Sequence, residues 1–262
     1  MTVASCSGSS TPAPPRNAVE TPPFMAHVTE LTPQMKATMQ SVGSWKPNCP
    51  VTLDDLRLMR LSYWGPDKHA HMGELVVNAK ATSKMAAVFK AIYEAHFPIE
   101  TMKPVEAYPS QPAGSGASDD DSMAADNTSA FNCRPVTGGG RFSYHAWGLA
   151  VDINPVQNPY AKTNSDYKVY PGSVVPPSGD SYVDANPDGT LKVDRSNVRP
   201  GMITSGDAVV RAFEKEGATW GGDFLTMQWE GHGTDHRIDY MHFEWTPAQF
   251  GIPNGNLGQT GH

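Results

Sequence analysis

The stretch Ser143-Tyr-His-Ala-Trp-Gly-Leu-Ala-Val-Asp152 decides the expected fold, because it ends in a short alternating pattern. Leu149, Val151 and Ile153 share one parity, so a strand at this place buries the three side chains on one face. Asp152 has the opposite parity and points away from that face. We therefore expect a buried strand that presents a single carboxylate.

His145 lies seven residues before Asp152, with Gly148 between them. Gly148 allows the backbone to bend from a loop into the strand, so both side chains can converge on one ion. Zinc suits such a mixed nitrogen and oxygen set, and three protein ligands plus a water molecule are typical of catalytic zinc. Structural zinc favours four ligands rich in cysteine, whereas this chain has only three scattered cysteines.

The segment Arg237-Ile-Asp-Tyr-Met-His-Phe-Glu-Trp245 offers His242 as the third ligand and Asp239 three residues before it. Positions three apart on a regular strand face opposite ways, so this hypothesis requires a bend or loop between Asp239 and His242. With that bend, Asp239 can hold a water molecule on the metal and take its proton. His232 and His236 compete for the third position, but their glycine-containing stretch is typical of a loop.

Four blocks of sequence follow one another in a recognisable order. They are Asn127-Thr-Ser-Ala-Phe-Asn-Cys-Arg134, the Ser-x-His-x-x-Gly-x-Ala-x-Asp block from Ser143, Trp220-Gly-Gly-Asp223, and Asp239-x-x-His-Phe-Glu244. Together they resemble the zinc D-alanyl-D-alanine carboxypeptidase family, which includes vancomycin-resistance carboxypeptidases and phage L-alanyl-D-glutamate endopeptidases. The resemblance extends roughly from Cys49 to Phe250, and it implies cleavage of peptidoglycan stem peptides.

The resemblance implies that His145, Asp152 and His242 bind zinc and that Asp239 is the general base. It also implies that Arg134 binds the substrate carbonyl oxygen and stabilises the negative charge of the transition state. A permanently charged guanidinium with a fixed fork of donors suits an oxyanion or a terminal carboxylate. The carboxypeptidases often carry Glu at the base position, whereas some endopeptidases carry Asp, as this chain does at Asp239.

We therefore predict a zinc-dependent peptidase acting on peptidoglycan stem peptides, in the first place a D-alanyl-D-alanine carboxypeptidase. L-alanyl-D-glutamate endopeptidase activity is the alternative within the same family. A non-catalytic cell-wall binding module on the same fold is a hypothesis from another class, and the intact base and Arg134 argue against it. A serine hydrolase is a third alternative, although nothing around Ser143 suggests an activated nucleophile.

Four residues beside the predicted ligands are expected to support them or to line the substrate rim. Ser143 and Glu244 are expected to orient the site through hydrogen bonds. Trp147 and Trp245 flank the predicted ligands and are expected to pack in the core, with a wall of the substrate groove as the alternative.

Composition predicts three segments in this chain of 262 residues. Residues 1–45, rich in Ser, Thr, Pro and Ala, are predicted to be a disordered tether, residues 46–252 the peptidase domain, and residues 253–262 a flexible tail. The net charge of −7 argues against a nucleic-acid partner, and no apolar run is long enough to span a membrane. We expect a monomer.

The cysteines suggest an exported protein. Val3-Ala-Ser-Cys6 resembles the end of a bacterial lipoprotein signal, in which the cysteine is lipidated, or the likeness is accidental. Cys49 and Cys133 can form a disulfide in an oxidising compartment, with two free buried thiols as the alternative. We therefore predict an extracellular or cell-envelope location.

The predicted fold class is α+β, with a small antiparallel sheet that carries the zinc site, helices packed against it and long loop insertions. Ser118-Asp-Asp-Asp-Ser122 is expected to be a solvated loop, with calcium binding as the alternative. The other predicted elements are strands at Leu56–Tyr63, Glu74–Asn78 and Ile99–Tyr108, helices at Ser83–His96 and from Ser205 to Gly217, and a wrapping insertion at Pro155–Pro200.

Overall fold

The fold is α+β, as predicted, and it is known here from a computed structural model. The structure describes residues 21–110, 117–136, 140–163, 169–188, 191–192, 195–224 and 237–253. The strands are β1 (Ala26–Glu30), β2 (Leu56–Trp64), β3 (Ala70–Asn78), β4 (Thr101–Met102), β5 (Asn127–Thr128), β6 (Ala150–Asp152), β7 (Tyr160–Thr163), β8 (Val169–Val175), β9 (Asp184–Ala185), β10 (Leu191–Lys192), β11 (Thr219–Trp220), β12 (Arg237–Asp239) and β13 (His242–Glu244). The α-helices are α1 (Pro33–Val42), α2 (Thr82–Glu94), α3 (Asp119–Ala124) and α4 (Ala208–Lys215).

A small antiparallel sheet of order β11-β13-β6 lies at the centre of the candidate site. Its register places His242 directly opposite Asp152 and Phe243 opposite Val151. Side chains of directly opposed residues on neighbouring strands come within contact distance of each other. The strand pairing therefore brings two distant parts of the sequence together at one point.

Helix α4 packs against this sheet at β11, and helix α2 packs against α4 and against β2. One face of α4 buries Val209, Val210 and Phe213, and the Phe213 ring stacks on Phe243 at a centroid distance of 4.0 Å. Burying a side chain of this size contributes about 1.5–3 kcal/mol. The back of β13 is therefore fixed by a dry core, while its other face is left for the site.

The helices differ from their predicted bounds at their ends. Helix α2 spans Thr82–Glu94, close to the prediction, and its buried face includes the predicted Met85 and Ile92. Helix α4 begins at Ala208 rather than near Ser205, because the Asp207 carboxylate accepts hydrogen bonds from the backbone of the first turn. No helix among the described residues is both long and apolar enough to cross a bilayer.

The tether prediction is wrong for residues 21–45. Strand β1 pairs antiparallel with β2, and α1 follows, with Thr32 accepting a hydrogen bond from Met35 N and Met39 buried. Composition wrongly predicts disorder here, because the backbone groups of β1 form their hydrogen bonds with the edge of β2 and therefore need no apolar side chains. Helix α1 likewise needs only a few apolar contacts. Residues 1–20, which include Cys6, and residues 254–262 of the predicted tail lie outside the described residues.

Two further predicted elements are wrong. The predicted strand Ile99–Tyr108 contains only the two residues of β4, followed by a 3-10 helix at Val105–Ala107. A longer strand is not formed because Pro104 lacks the N–H that strand pairing would need. The acidic run after Ser118 is not a loop but helix α3, because the Ser118 hydroxyl accepts a hydrogen bond from Asp121 N and acidic residues favour a first turn.

The long insertion after Pro155 contains ordered strands. Strands β7 to β10 and β12 form an antiparallel sheet of order β12-β7-β8-β10-β9. In this sheet Asp239, at the end of β12, pairs with Tyr160. The insertion therefore supports the strand that leads into the second half of the site.

The predicted disulfide between Cys49 and Cys133 is confirmed, with a Cα–Cα distance of 5.9 Å. It closes a loop of 84 residues, and loop-closure entropy gives such a crosslink ~4.5 kcal/mol of stabilisation. Because Cys133 directly precedes Arg134, the crosslink also fixes the start of the segment that carries the arginine.

Candidate metal centre

Three buried side chains from separate segments meet at one point. His145 Nε2 lies 3.1 Å from both His242 Nδ1 and Asp152 Oδ2, and His242 Nδ1 lies 3.0 Å from Asp152 Oδ1. Among the residues that the structure describes, this is the one group of three His, Cys, Asp or Glu side chains arranged to hold a metal ion. The residues that the sequence suggested as ligands are therefore together.

The distances fit a tetrahedral zinc ion. Zinc bonds of about 2.0–2.1 Å place neighbouring ligand atoms about 3.3 Å apart, only a few tenths of an ångström wider than the spacing here. Two neutral imidazoles and a carboxylate are also a donor set that zinc accepts. The three residues therefore fit zinc in both chemistry and spacing.

The backbone around His145 fixes the position of its ring. His145 belongs to a 3-10 helix at Tyr144–Trp147, where the Ser143 hydroxyl accepts a hydrogen bond from His145 N. Gly148 ends that helix in a left-handed conformation, and a Cβ there would lie 2.6 Å from Asn78 N. Glycine is therefore required at the bend that the sequence predicted, both for its φ angle and for the close approach of β3.

Each imidazole has its second nitrogen held by a protein acceptor. His145 Nδ1 donates to the Ala130 carbonyl at 2.5 Å, and His242 Nε2 donates to Glu244 Oε2 at 2.8 Å. With those protons assigned, His145 Nε2 and His242 Nδ1 present lone pairs to the centre. Glu244 and Ala130 thus select the tautomers that can bind a cation.

Electrostatics in the cluster favour a charged carboxylate. Burial alone would raise the pKa of Asp152, but His145 and His242 lower that pKa well below its ordinary value through charge and hydrogen bonds. Burial would lower the pKa of His242, yet hydrogen bonds to Asp152 and Glu244 raise it. The carboxylates that stabilise positive charge at this point would equally balance a divalent cation.

Asp239 enters the site from a tight connection between two strands. Strand β12 ends at Asp239 and β13 begins at His242, so the predicted bend is confirmed at Tyr240 and Met241. Trp220 Nε1 donates a 2.9 Å hydrogen bond to the Tyr240 carbonyl and holds the turn. Asp239 therefore reaches the same pocket as the two histidines.

Gly221 controls how closely the chain packs against Asp239. A Cβ at Gly221 would clash with the Asp239 carbonyl oxygen and would lie 2.9 Å from the Asp239 Cβ. The block Trp220-Gly-Gly-Asp223, which the sequence marked only by its resemblance, thus contacts the turn between β12 and β13. Its tryptophan and first glycine are positioned to set the placement of Asp239.

Arg134 begins a short hairpin that returns at Ser143. Ser143 N donates to the Arg134 carbonyl at 3.0 Å, and the guanidinium forms a 2.7 Å ion pair with Asp119. Burial would lower the pKa of Arg134, but the negative charges of Asp119, Asp152 and Asp239 raise it. Arg134 is therefore a permanent cation facing the acidic side of the site.

His145, His242, Asp239 and Arg134 border a common pocket of about 60 Å³. Asp152 does not line this pocket, although its carboxylate contacts both histidines. The complete lining is Arg134, Val136, Arg141, Ser143, Tyr144, His145, Tyr160, Phe224, Asp239, His242 and Glu244. Sequence reasoning missed Arg141, Tyr144 and Phe224, although the first two are close in sequence to His145, a signal that could have found them.

The four supporting residues divide into two pairs. Ser143 and Glu244 contact the candidate ligands through hydrogen bonds. Trp147 and Trp245 instead pack inside the hydrophobic core, 3% and 0% exposed, so neither lines the substrate rim. Trp147, at the end of its 3-10 helix, and Trp245, directly after β13, each pack into one of the two large core clusters. His232 and His236 lie outside the described residues.

The fold and the site together define a class of protein. The buried group of two imidazoles and one carboxylate could hold a metal ion, and three protein ligands are typical of catalytic rather than structural zinc. Residues 137–245 match the family model described as D-alanyl-D-alanine carboxypeptidase, which supports a peptidase. The match includes three of the four blocks that carry the predicted resemblance, and the block Asn127–Arg134 lies outside it. Comparisons with curated proteins and with solved structures gave no match.

Proposed function

We propose that this protein is a zinc-dependent peptidase of peptidoglycan stem peptides, and in particular a D-alanyl-D-alanine carboxypeptidase. The observation that carries the proposal is the convergence of His145, Asp152 and His242 beside Asp239 inside the range that matches the family. In this proposal the first three residues bind the metal. Zinc would supply a Lewis acid and lower the pKa of a coordinated water molecule to about 7.

Asp239 is the proposed general base. It lines the same pocket as His145 and His242, where a carboxylate can accept a proton from the attacking water molecule. After the carbonyl carbon has been attacked, the same carboxyl group returns that proton to the departing amine. This double use of one residue requires a fixed position, which the turn between β12 and β13 and its contact with Gly221 provide.

Arg134 is proposed to stabilise the negative charge that develops on the substrate carbonyl oxygen. Its guanidinium keeps its charge throughout, and a buried donor aimed at developing charge contributes more than a solvated one. The ion pair with Asp119 offsets part of the charge but leaves other donors of the fork for the substrate.

Arg141 favours the carboxypeptidase over the endopeptidase. This second arginine lies in the wall of the same pocket, beside the Tyr144 ring. A carboxypeptidase substrate carries a free C-terminal carboxylate next to the bond that is cut, whereas an internal peptide bond lacks that charge. A second cation in the pocket is therefore suited to the carboxylate of a terminal D-alanine.

The test is incubation of defined muropeptides with the zinc-loaded protein, followed by mass analysis. Loss of one alanine from a pentapeptide stem is expected, and cleavage between L-alanine and D-glutamate would favour the endopeptidase. A chelator should abolish either activity, while retained activity without zinc would favour a serine hydrolase. An Asp239→Ala variant that releases product as fast as the parent would contradict the catalytic role and favour a binding module.

Arg141→Gln tests the choice of substrate. With peptides ending in D-alanyl-D-alanine, KM is expected to rise about 10-fold, the loss of one charged hydrogen bond. With the C-terminally amidated peptide, parent and variant should differ by less than about 2-fold because the charge is already missing. Equal effects on both peptides would contradict the assignment of Arg141.

We further propose that the protein is exported and acts as a monomer at the cell envelope, with no nucleic-acid partner. The Cys49–Cys133 disulfide supports export, because such bonds persist in oxidising compartments. A lipid anchor at Cys6 remains part of the proposal, and mass analysis of the native protein would detect the attached acyl chains.

A further inference from the structure

We propose that Asp119 is a positioning residue that holds the guanidinium of Arg134 in its productive orientation. The inference deepens the proposed function and rests on it for its kinetic consequence. The geometric part, that one carboxylate of the acidic run restrains Arg134, stands on the contacts of the folded protein alone.

Both oxygens of the Asp119 carboxylate are engaged. Asp119 Oδ2 lies 2.7 Å from Arg134 Nη2, and Asp119 Oδ1 accepts a 3.1 Å hydrogen bond from Asn132 Nδ2. Because Asn132 precedes Arg134 by two residues, the carboxylate contacts the same segment at two points. A carboxylate held in this way cannot rotate freely, so it fixes the direction of the arginine.

Helix α3 gives Asp119 a rigid base. The helix is capped by Ser118, and its Ser122 is buried and accepts a hydrogen bond from Asn127 Nδ2 at 3.0 Å. Asn127 in turn belongs to β5, which pairs with β4. The helix is therefore anchored in the folded body of the protein, unlike a solvated acidic loop.

The ion pair with Asp119 uses one donor of Arg134, whose side chain also lines the pocket. Nη1 reaches the Pro135 carbonyl only at 3.4 Å, and buried Nε has no hydrogen-bond partner in the described part of the chain. Arg134 therefore keeps donor capacity that the ion pair does not use, and in the proposed function a substrate carbonyl oxygen is the acceptor. Asp119 thus binds Nη2 of the Arg134 guanidinium and thereby orients the rest of the group.

The neighbouring acids provide a matched control. Asp120 lies in the same first turn of α3 as Asp119 and is exposed. Asp119 is one of the negative charges that raise the pKa of Arg134, whereas Asp120 is not. Asp120→Asn and Asp119→Asn remove the same charge from the same helix. Any general effect of net charge or of the helix dipole is therefore common to both variants.

The kinetic experiment compares Asp119→Asn, Asp120→Asn and the parent, all zinc-loaded, on the same peptide. Asp119→Asn is expected to lower kcat about 10-fold or more with little change in KM, as loss of a supporting partner does. Asp120→Asn should remain within about 2-fold of the parent. In an Arg134→Gln background, Asp119→Asn should have no further effect, because the two residues act as one unit. Additive losses, or equal losses in the two Asn variants, would overturn the proposal.

A second measurement does not depend on activity. The ¹⁵Nε–H resonance of Arg134, assigned by its absence in Arg134→Lys, reports the mobility of the guanidinium. A sharp, dispersed signal is expected in the parent and in Asp120→Asn, and a broadened or averaged one in Asp119→Asn. An unchanged signal in Asp119→Asn would overturn the positioning role. If the parent hydrolyses no peptide, the proposed function fails, and this resonance still decides the role of Asp119.

Discussion

The candidate metal ligands and the two proposed catalytic side chains are held by different kinds of structure. Asp152 and His242 face each other across β6 and β13, so ordinary strand pairing sets their separation. Asp239 lies at the end of a strand of another sheet, and Arg134 begins a hairpin. The candidate metal half, His145, Asp152 and His242, combines one strand pairing with a 3-10 helix. The proposed catalytic half, Asp239 and Arg134, is built by contacts between distant segments.

The contacts that support each half differ accordingly. In the metal half, the second nitrogen of His145 bonds to the Ala130 carbonyl, and that of His242 bonds to Glu244 on the same strand, β13. In the catalytic half, Asp239 depends on Gly221 and Arg134 depends on Asp119. Substitutions in the metal half should therefore release the metal. Substitutions in the catalytic half should lower the rate while the metal stays bound.

His242→Ala should have the largest effect. It removes one of three ligands, so the zinc bound after dialysis should fall to background and activity should fall by more than about 10³-fold, since the metal supplies several kcal/mol of stabilisation. Metal analysis and peptide hydrolysis on the same sample measure both. A variant that keeps one equivalent of zinc would break the assignment of the metal half.

Asp239→Asn should come next, and it separates the two halves. Amide and carboxylate have nearly the same shape, so zinc should remain bound while kcat falls about 10²- to 10⁴-fold through loss of general base catalysis. Metal content is the control in this case. Loss of the metal together with the rate would show that Asp239 belongs to the metal half instead.

Gly221→Ala should reduce kcat by about 10- to 100-fold without changing zinc content, because a small displacement of a catalytic group is costly. The added methyl group would push the Asp239 backbone away. Gly206→Ala is the control, since a Cβ at Gly206 meets open space although its φ is positive. That control should lower thermal stability and leave kcat unchanged. Equal kcat in the two variants would contradict the role of Gly221.

Glu244→Gln should have the smallest effect on rate. Gln can still accept from His242 Nε2, but it lacks the charge that raises the pKa of that ring. We expect zinc affinity to fall about 10- to 100-fold in competition with a chelator, with kcat at saturating zinc nearly unchanged. A lower kcat at unchanged affinity would place Glu244 in the catalytic half.

The metal half could be predicted from the sequence and the catalytic half only in part. Alternation around Asp152, the glycine at 148 and the spacing of Asp239 and His242 are local patterns that short elements obey. Asp119 could not be predicted as the partner of Arg134, because an acidic run is more often solvated and their contact depends on how α3 packs. Tertiary packing also explains why β1 and α1 were not predicted. Their composition is typical of disorder, but β1 becomes ordered by pairing with the edge of β2.

X-ray absorption at the zinc edge of the loaded protein tests the central claim most directly. The account predicts one zinc per chain, with two imidazole nitrogens and light oxygen scatterers at about 2.0–2.1 Å and no sulfur. The His242→Ala variant, measured at saturating zinc, should show one imidazole fewer. A spectrum with sulfur ligands, or with the parent's two imidazoles retained in that variant, would contradict a centre formed by His145, Asp152 and His242.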